Sequence, residues 1–252
     1  MSKILEIKNL CKTYHTKKYE IEALKNINFN LYEGDFIGIV GPSGCGKSTL
    51  LSILGNLEEI TSGRVIKDDN LKIGYMLQDD CLFPWLTIYE NCLIGLKINK
   101  ICNKENMDNV KKLLNTYGLK DFINKYPSDL SGGMRQRVAL IRTLAIRPDV
   151  LLLDEPFSAL DYQTRVSVSN DVRDIIKNEN KTLIIVTHDI GEAISMCNKV
   201  IVLTKRPSTI KNIYNINYIE NSKNPVKNRM SKEFMEYYEK IWNDLNNEKW
   251  RV

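Results

Sequence analysis

The sequence predicts an α/β fold carried by a parallel sheet. Short, almost wholly apolar runs at 36–40, 150–153 and 182–186 read as strands buried on both faces. Helical periodicity follows at 133–146, 162–177 and 189–197, so strands and helices alternate as in βαβ units. A glycine-rich loop joins the first apolar run to a helix at 48–54.

In chain order, residues 3–9 and 21–31 alternate apolar with polar, as half-buried strands do. Glu33-Gly34-Asp35 reads as a turn and 36–40 as a buried strand. The helix at 48–54 ends at Gly55, a suitable C-cap. Between 86 and 130 strand signals vanish and helical periodicity appears at 88–96 and 107–117, which reads as a helical insertion. A strand is expected at 199–203. Residues 205–252 form a polar, Asn- and Lys-rich tail with an amphipathic helix at 232–245.

The 252 residues suit one large domain or a domain with a subdomain, and 43% hydrophobic with 27% charged residues implies a folded core. The net charge of +5 is not clustered, which argues against a nucleic-acid partner. No apolar run approaches the roughly 20 residues of a membrane span, and the first residues lack the apolar core of a signal peptide. The expectation is a cytosolic chain whose membrane role, if any, runs through a partner. Six cysteines form no CxxC pair and no Cys/His cluster, so reduced thiols are expected.

Gly41-Pro42-Ser43-Gly44-Cys45-Gly46-Lys47-Ser48 fits the phosphate-loop pattern G-x-x-x-x-G-K-[ST]. Its glycines let the backbone wrap a phosphate, and successive N–H groups form an anion nest. The following helix adds its positive end. Lys47 reaches the β- and γ-phosphates and the Ser48 hydroxyl serves Mg²⁺. Cys45 sits near that helix N-terminus, where thiols acidify, so alkylation is expected to block the loop and ATP to protect it. The loop marks a nucleoside triphosphatase without choosing its family.

The run 150–155 ends an apolar strand with Asp154 and Glu155. Ligands of open α/β sheets bind at the carboxyl ends of the strands. Asp154 is therefore placed to reach Mg²⁺ and Glu155 to orient or deprotonate the attacking water.

Leu130-Ser131-Gly132-Gly133-Met134-Arg135-Gln136-Arg137 decides between families. A Ser-Gly-Gly helix start offers a hydroxyl and unshielded N–H groups to a second anion. Here the chain resembles the ABC ATPases, whose signature motif is LSGGQ-like. Further residues match in order: Tyr14 looks like the adenine-stacking aromatic, Gln78 like the Q-loop glutamine, Ser158-Ala159-Leu160-Asp161 like the D-loop and His188 like the switch histidine. The resemblance covers residues 3–205 and implies a P-loop core with an antiparallel β subdomain and a helical subdomain at about 86–132. It implies catalytic roles for Glu155, His188, Gln78 and Lys47, and metal ligation by Ser48, Gln78 and Asp154. ATP would also meet Thr49, Ser131, Gly132, Gly133 and Asp161. Met134 departs from the usual glutamine, Ile141 and Thr143 flank Arg142 where small residues are common, and Asn198 stands where an acid is frequent. None removes a group that hydrolysis needs.

In the family two such domains close head-to-tail around two ATP molecules, so a second ATPase subunit, in the simplest case another copy, is implied. Only 53 residues separate Gln78 from Ser131, without sustained heptads, unlike the chromosome-maintenance relatives. Residues 76–91, the run Leu203 to Pro207 and the tail segment from Phe234 to Trp242 resemble the nitrate, sulfonate and taurine importer ATPases. That implies permease subunits, an indirect solute-binding protein and a place on the cytoplasmic face of the membrane. Iron–sulfur assembly and cell-envelope or lipoprotein machinery stay as alternatives. Phe83-Pro84-Trp85 lies where a permease would dock, or else is ordinary core packing.

Overall fold

The computed structural model describes residues 2–15, 19–218 and 228–246. Parts of the tail 206–252 therefore lie outside the described residues. The chain divides into two units, residues 1–71 with 182–252, and residues 72–181.

In the first unit, β1 (Lys3–His15) and β2 (Glu20–Tyr32) pair antiparallel with Ile7 opposite Phe29 and Tyr14 opposite Ile21. β1 runs past the alternating stretch because bulges shift its register around residues 10–13, and a bulge breaks the period-2 pattern that marks a strand. On the other edge β4 (Ser62–Lys67) pairs antiparallel, giving a three-stranded sheet.

The same unit holds β3 (Phe36–Val40), β7 (Thr182–Val186), β8 (Lys199–Leu203) and β9 (Ile210–Asn215). β3 pairs parallel with both β7 and β8, and β9 closes the β8 edge antiparallel. β3 and β7 are buried along their whole length, as strands covered on both faces must be. α1 (Lys47–Leu54) follows β3, and α6 (Ile190–Met196) packs on β3 so closely that a Cβ on Gly38 would lie 3.0 Å from the Ala193 Cβ. Asn198, where an acid was the family habit, accepts a hydrogen bond from the Phe36 N–H at 3.0 Å. The tail helix α7 (Lys232–Asn246) buries Phe234 and Ile241 against Ile190, Ile194, Val200 and Ile216.

In the second unit, β5 (Ile73–Met76) pairs parallel with β6 (Val150–Asp154), Met76 opposite Leu153. Its helices are α2 (Ile88–Ile98), α3 (Lys104–Thr116), α4 (Gly132–Ala145) and α5 (Tyr162–Asn178). α2 begins with a capping box: the Glu90 N–H donates to the Thr87 hydroxyl, and the Glu90 carboxylate accepts from the Thr87 N–H. α3 starts at Lys104, before the apolar periodicity, because the Asn103 side chain caps it. Three strands escaped the sequence reading, β4, β5 and β9, and each is short or polar.

Candidate nucleotide site

The first unit presents the phosphate loop. β3 ends at Val40 and α1 starts at Lys47, so Gly41 to Gly46 span the tip of a buried strand. Gly44 and Gly46 hold φ of +72° and +112°, backbone that side-chain-bearing residues rarely adopt. Gly46 caps α1 without any side-chain hydrogen bond, and the positive end of the helix faces the loop. Ser43, Gly44 and Ser48 are exposed on the loop's open side. The Lys47 side chain folds back into the loop, its Nζ donating to the carbonyls of Gly41 at 3.0 Å and Pro42 at 3.2 Å. The Tyr14 hydroxyl donates to the Thr49 Oγ1 at 3.3 Å, which ties β1 to the start of α1.

His188 follows β7 and is exposed. Its neighbour Asp189 caps α6 by accepting from the Glu192 N–H, and the Thr187 hydroxyl accepts from the Asp189 N–H. Because β7 lies parallel beside β3, His188 and the phosphate loop leave the sheet at the same strand ends.

Cys45 corrects an expectation. It is 1% exposed, and a Cβ on Gly41 would meet its Sγ at 2.8 Å. Burial pushes its thiol pKa up, against the opposing pull of the Lys47 charge. Nearness to a helix N-terminus acidifies a thiol only when solvent or a cation can stabilise the thiolate, and here desolvation wins.

The second unit presents the acids and the signature. Asp154 closes β6, is 8% exposed, and accepts from the Tyr75 hydroxyl at 3.2 Å. Glu155 follows in left-handed backbone, φ 42°, which turns the chain sharply at the strand tip. Gln78 is exposed and donates to the Ser158 hydroxyl at 3.4 Å. Asp161 caps α5 through the Thr164 N–H, and its hydrogen bonds to Thr164 lower its carboxyl pKa. Ser131 caps α4 by accepting from the Met134 N–H. Both signature glycines are closely packed: Cβ atoms on Gly132 and Gly133 would lie 3.0 Å from the Leu160 Cδ2 and 2.8 Å from the Val168 Cγ2, the second contact closer than real Cβ atoms show.

Residues that sequence reasoning did not single out hold the segment after Gln78. Arg135 donates to the Asp80 carboxylate at 2.9 Å, and Arg142 to the carbonyls of Asp80 and Cys81. Asn91, fully buried, binds both the N–H and the carbonyl of Phe83. The i, i+7 spacing of the two arginines marks one face of α4, but nothing in the sequence names their partners. Trp85 is 70% exposed and Phe83 38%, with ring centroids 5.3 Å apart, so neither ring is core packing.

A phosphate loop on a doubly buried strand, followed in the chain by a Ser-Gly-Gly helix start and then an acid-tipped strand, defines an ATP-hydrolysing cassette of the P-loop class. Residues 24–158 match the ABC transporter family, and the chain belongs to it. It is the ATP-binding and ATP-hydrolysing subunit of an ABC transporter. It is 46% identical over 248 residues to an uncharacterized ABC transporter ATP-binding protein, YtlC, of Bacillus subtilis, covering 96% of this chain and 95% of that one. It is 40% identical over 248 residues to the nitrate import ATP-binding protein NrtD of Synechocystis sp., covering 94% and 93%. It is 38% identical over 243 residues to the aliphatic sulfonates import ATP-binding protein SsuB of Bacillus anthracis, covering 94% of each. An ATP-binding cassette solved as a dimer in a post-hydrolysis state with ADP and Pi superposes with a TM-score of 0.72 at 36% identity, over 86% of this chain and 100% of that one. Among the described residues no helix is long and apolar enough to cross a membrane.

Proposed function

We propose that this subunit energises import of a small organic or inorganic anion of the nitrate, sulfonate or taurine kind. The observation that carries this reading is likeness over nearly the whole chain to ATP-binding proteins named for nitrate and aliphatic sulfonate import. The exposed Phe83 and Trp85 rings, on a segment fastened to α2 and α4, suit docking of a permease subunit. The substrate would meet the permease and a solute-binding protein, and this subunit would work at the cytoplasmic face.

In this reading two copies close head-to-tail, each phosphate loop facing the other's Ser131 and Gly133. Lys47 leaves the Gly41 and Pro42 carbonyls for the phosphates, an exchange of one set of oxygen acceptors for a more negative one. Tyr14 stacks on adenine. Glu155 orients the attacking water and accepts its proton. His188 and Gln78 brace the γ-phosphate, and the amides of Gly132 and Gly133 from the second copy stabilise the charge that develops on it. The Ser48 hydroxyl, the Asp154 carboxylate and the Gln78 amide oxygen are hard donors of the type Mg²⁺ takes beside nucleotide phosphates. The Tyr75 hydroxyl donates to the Asp154 carboxylate, which supports this reading by restraining it. The ion, when bound, neutralises charge on the transferring phosphoryl group.

The test is to tag the Glu155→Gln form, hold it with ATP and Mg²⁺, and recover it from native membranes for mass spectrometry. A polytopic permease with an anion-binding extracellular partner is the expected result. Recovery of iron–sulfur assembly factors or cell-envelope machinery instead would discard import and keep the ATPase.

A further inference from the structure

Tyr14 carries a second constraint besides its hydroxyl. Lys12 and Tyr14 stand two residues apart on β1. The Lys12 ammonium lies over the Tyr14 ring, 4.7 Å from its centroid. It is anchored there by the Glu58 carboxylate at 2.8 Å and the Glu59 carbonyl at 2.7 Å. The Lys12 side chain is only 12% exposed, and a cation over an aromatic face gains most when water is excluded. Meanwhile the ring's hydroxyl end is tied to Thr49, two residues beyond Lys47. One face and one end of the ring are thus occupied by groups of the same unit.

We propose that Lys12 is a positioning residue of the nucleotide site: with Glu58 and Glu59 it clamps Tyr14 so that the ring's opposite face receives the purine base. This rests on reading Tyr14 as the platform for the base. The clamp matters because a stacking partner whose plane is already fixed loses no rotamer freedom when the base arrives. The cation adds to this by drawing π-electron density toward its own side, which makes the opposite face better suited to an electron-rich purine. Glu58 and Glu59 fix the ammonium from their own side.

The experiment is calorimetric binding of ADP and of inorganic pyrophosphate, with Mg²⁺, to the full chain. Neither ligand is hydrolysed by this site, and they differ by the nucleoside. Lys12→Met keeps the aliphatic stem and removes the charge. It is expected to weaken ADP binding by about two- to tenfold, with pyrophosphate unchanged. Lys12→Arg is expected to restore ADP binding. Glu58→Gln, which loosens the anchor, is expected to shift ADP binding in the same direction by less, and it keeps the test alive if Lys12→Met does not fold. ADP binding unchanged in Lys12→Met overturns the clamp, and so does equal weakening of both ligands, which would report charge or folding. Tyr14→Ala runs in parallel. If it leaves ADP binding intact, the platform reading itself fails. If it weakens ADP binding while Lys12→Met does not, only the clamp fails.

Discussion

Arg142 on α4 donates to the main-chain carbonyl of Asp80 at 2.6 Å, and its other terminal nitrogen reaches the next carbonyl, Cys81, at 2.7 Å. The guanidinium offers two nitrogens in a fixed fork, one to each carbonyl, whereas a lysine would bring a single nitrogen on a side chain one bond shorter. The segment between Gln78 and α2 is therefore held to the signature helix by its backbone, which keeps it in place whatever its side chains do. Arg142→Lys is expected to lose one of the two bonds and to lower stability by about 1–3 kcal/mol. Amide exchange across residues 79–86 should rise and ATPase activity fall. Unchanged exchange there, measured by mass spectrometry, would show that the arginine does not hold the segment.

Glu155, proposed above as the base, sits in left-handed backbone. Glutamine has the same size and tolerates the φ of 42° no better and no worse, so Glu155→Gln should fold normally and bind ATP. Its hydrolysis rate should drop by about 100-fold or more if the carboxylate is the base. Glu155→Asn should be equally inactive yet melt at a higher temperature, because asparagine adopts left-handed backbone more readily. A melting temperature below that of Glu155→Gln would remove the strain argument.

Gly133 serves two masters, and they can be separated. Its missing Cβ lets α4 approach Val168 on α5, and its bare amide is proposed to face a phosphate. Gly133→Ala should destabilise by about 1–3 kcal/mol through overpacking and reduce ATPase activity. Adding Val168→Ala opens the space the new methyl needs. The double variant should recover part of the loss expected from summing the two single changes, without recovering activity. Full recovery of activity would reduce the glycine to a packing requirement.

Legibility followed burial and local geometry. β3, β6 and β7 were readable because five buried residues in a row leave a signal that no exposed element imitates. β5 was not, because it is four residues long and includes Gly74, whose missing Cβ makes room for the Thr143 methyl on α4. β4 and β9 are sheet edges, and an edge strand with one solvated side carries Ser, Gly, Lys and Asn that read as loop. In the candidate site, the phosphate loop and signature were visible because tight backbone turns and close packing force glycine into fixed spacings. The supports were invisible. Lys12 meets Glu59 across 47 residues and Arg142 meets Asp80 across 62, and no local pattern records such a pairing.

The α2 capping box gives a pH signature. Hydrogen bonds from the Thr87 backbone and hydroxyl hold the Glu90 carboxyl below its usual 4.5. A carboxyl with a depressed folded pKa stabilises the fold above its unfolded pKa and loses that contribution as pH falls through the folded value. Wild type should therefore exceed Glu90→Gln in urea midpoint at neutral pH. The gap should close as pH drops below about 4.5 and through the folded pKa. A gap that stays constant down to pH 3 would mean that the ionised carboxylate is not what caps α2.

Cys45 should react slowly despite its place in the phosphate loop. Alkylation needs thiolate and access, and burial denies both: the residue is 1% exposed and its pKa is raised. Cys81 is exposed. At neutral pH iodoacetamide should label Cys81 well before Cys45, and ATPase activity should survive the first labelling. ATP should then protect little, since the folded loop already shields its own sulfur. Raising the pH should narrow the difference only slightly, because access still limits the reaction after the thiol ionises. Peptide mass spectrometry against time decides the order. Rapid loss of activity in step with Cys45 labelling, prevented by ATP, would mean that the loop opens far enough without nucleotide to expose the thiol, and that its resting packing against Gly41 is only one of its states.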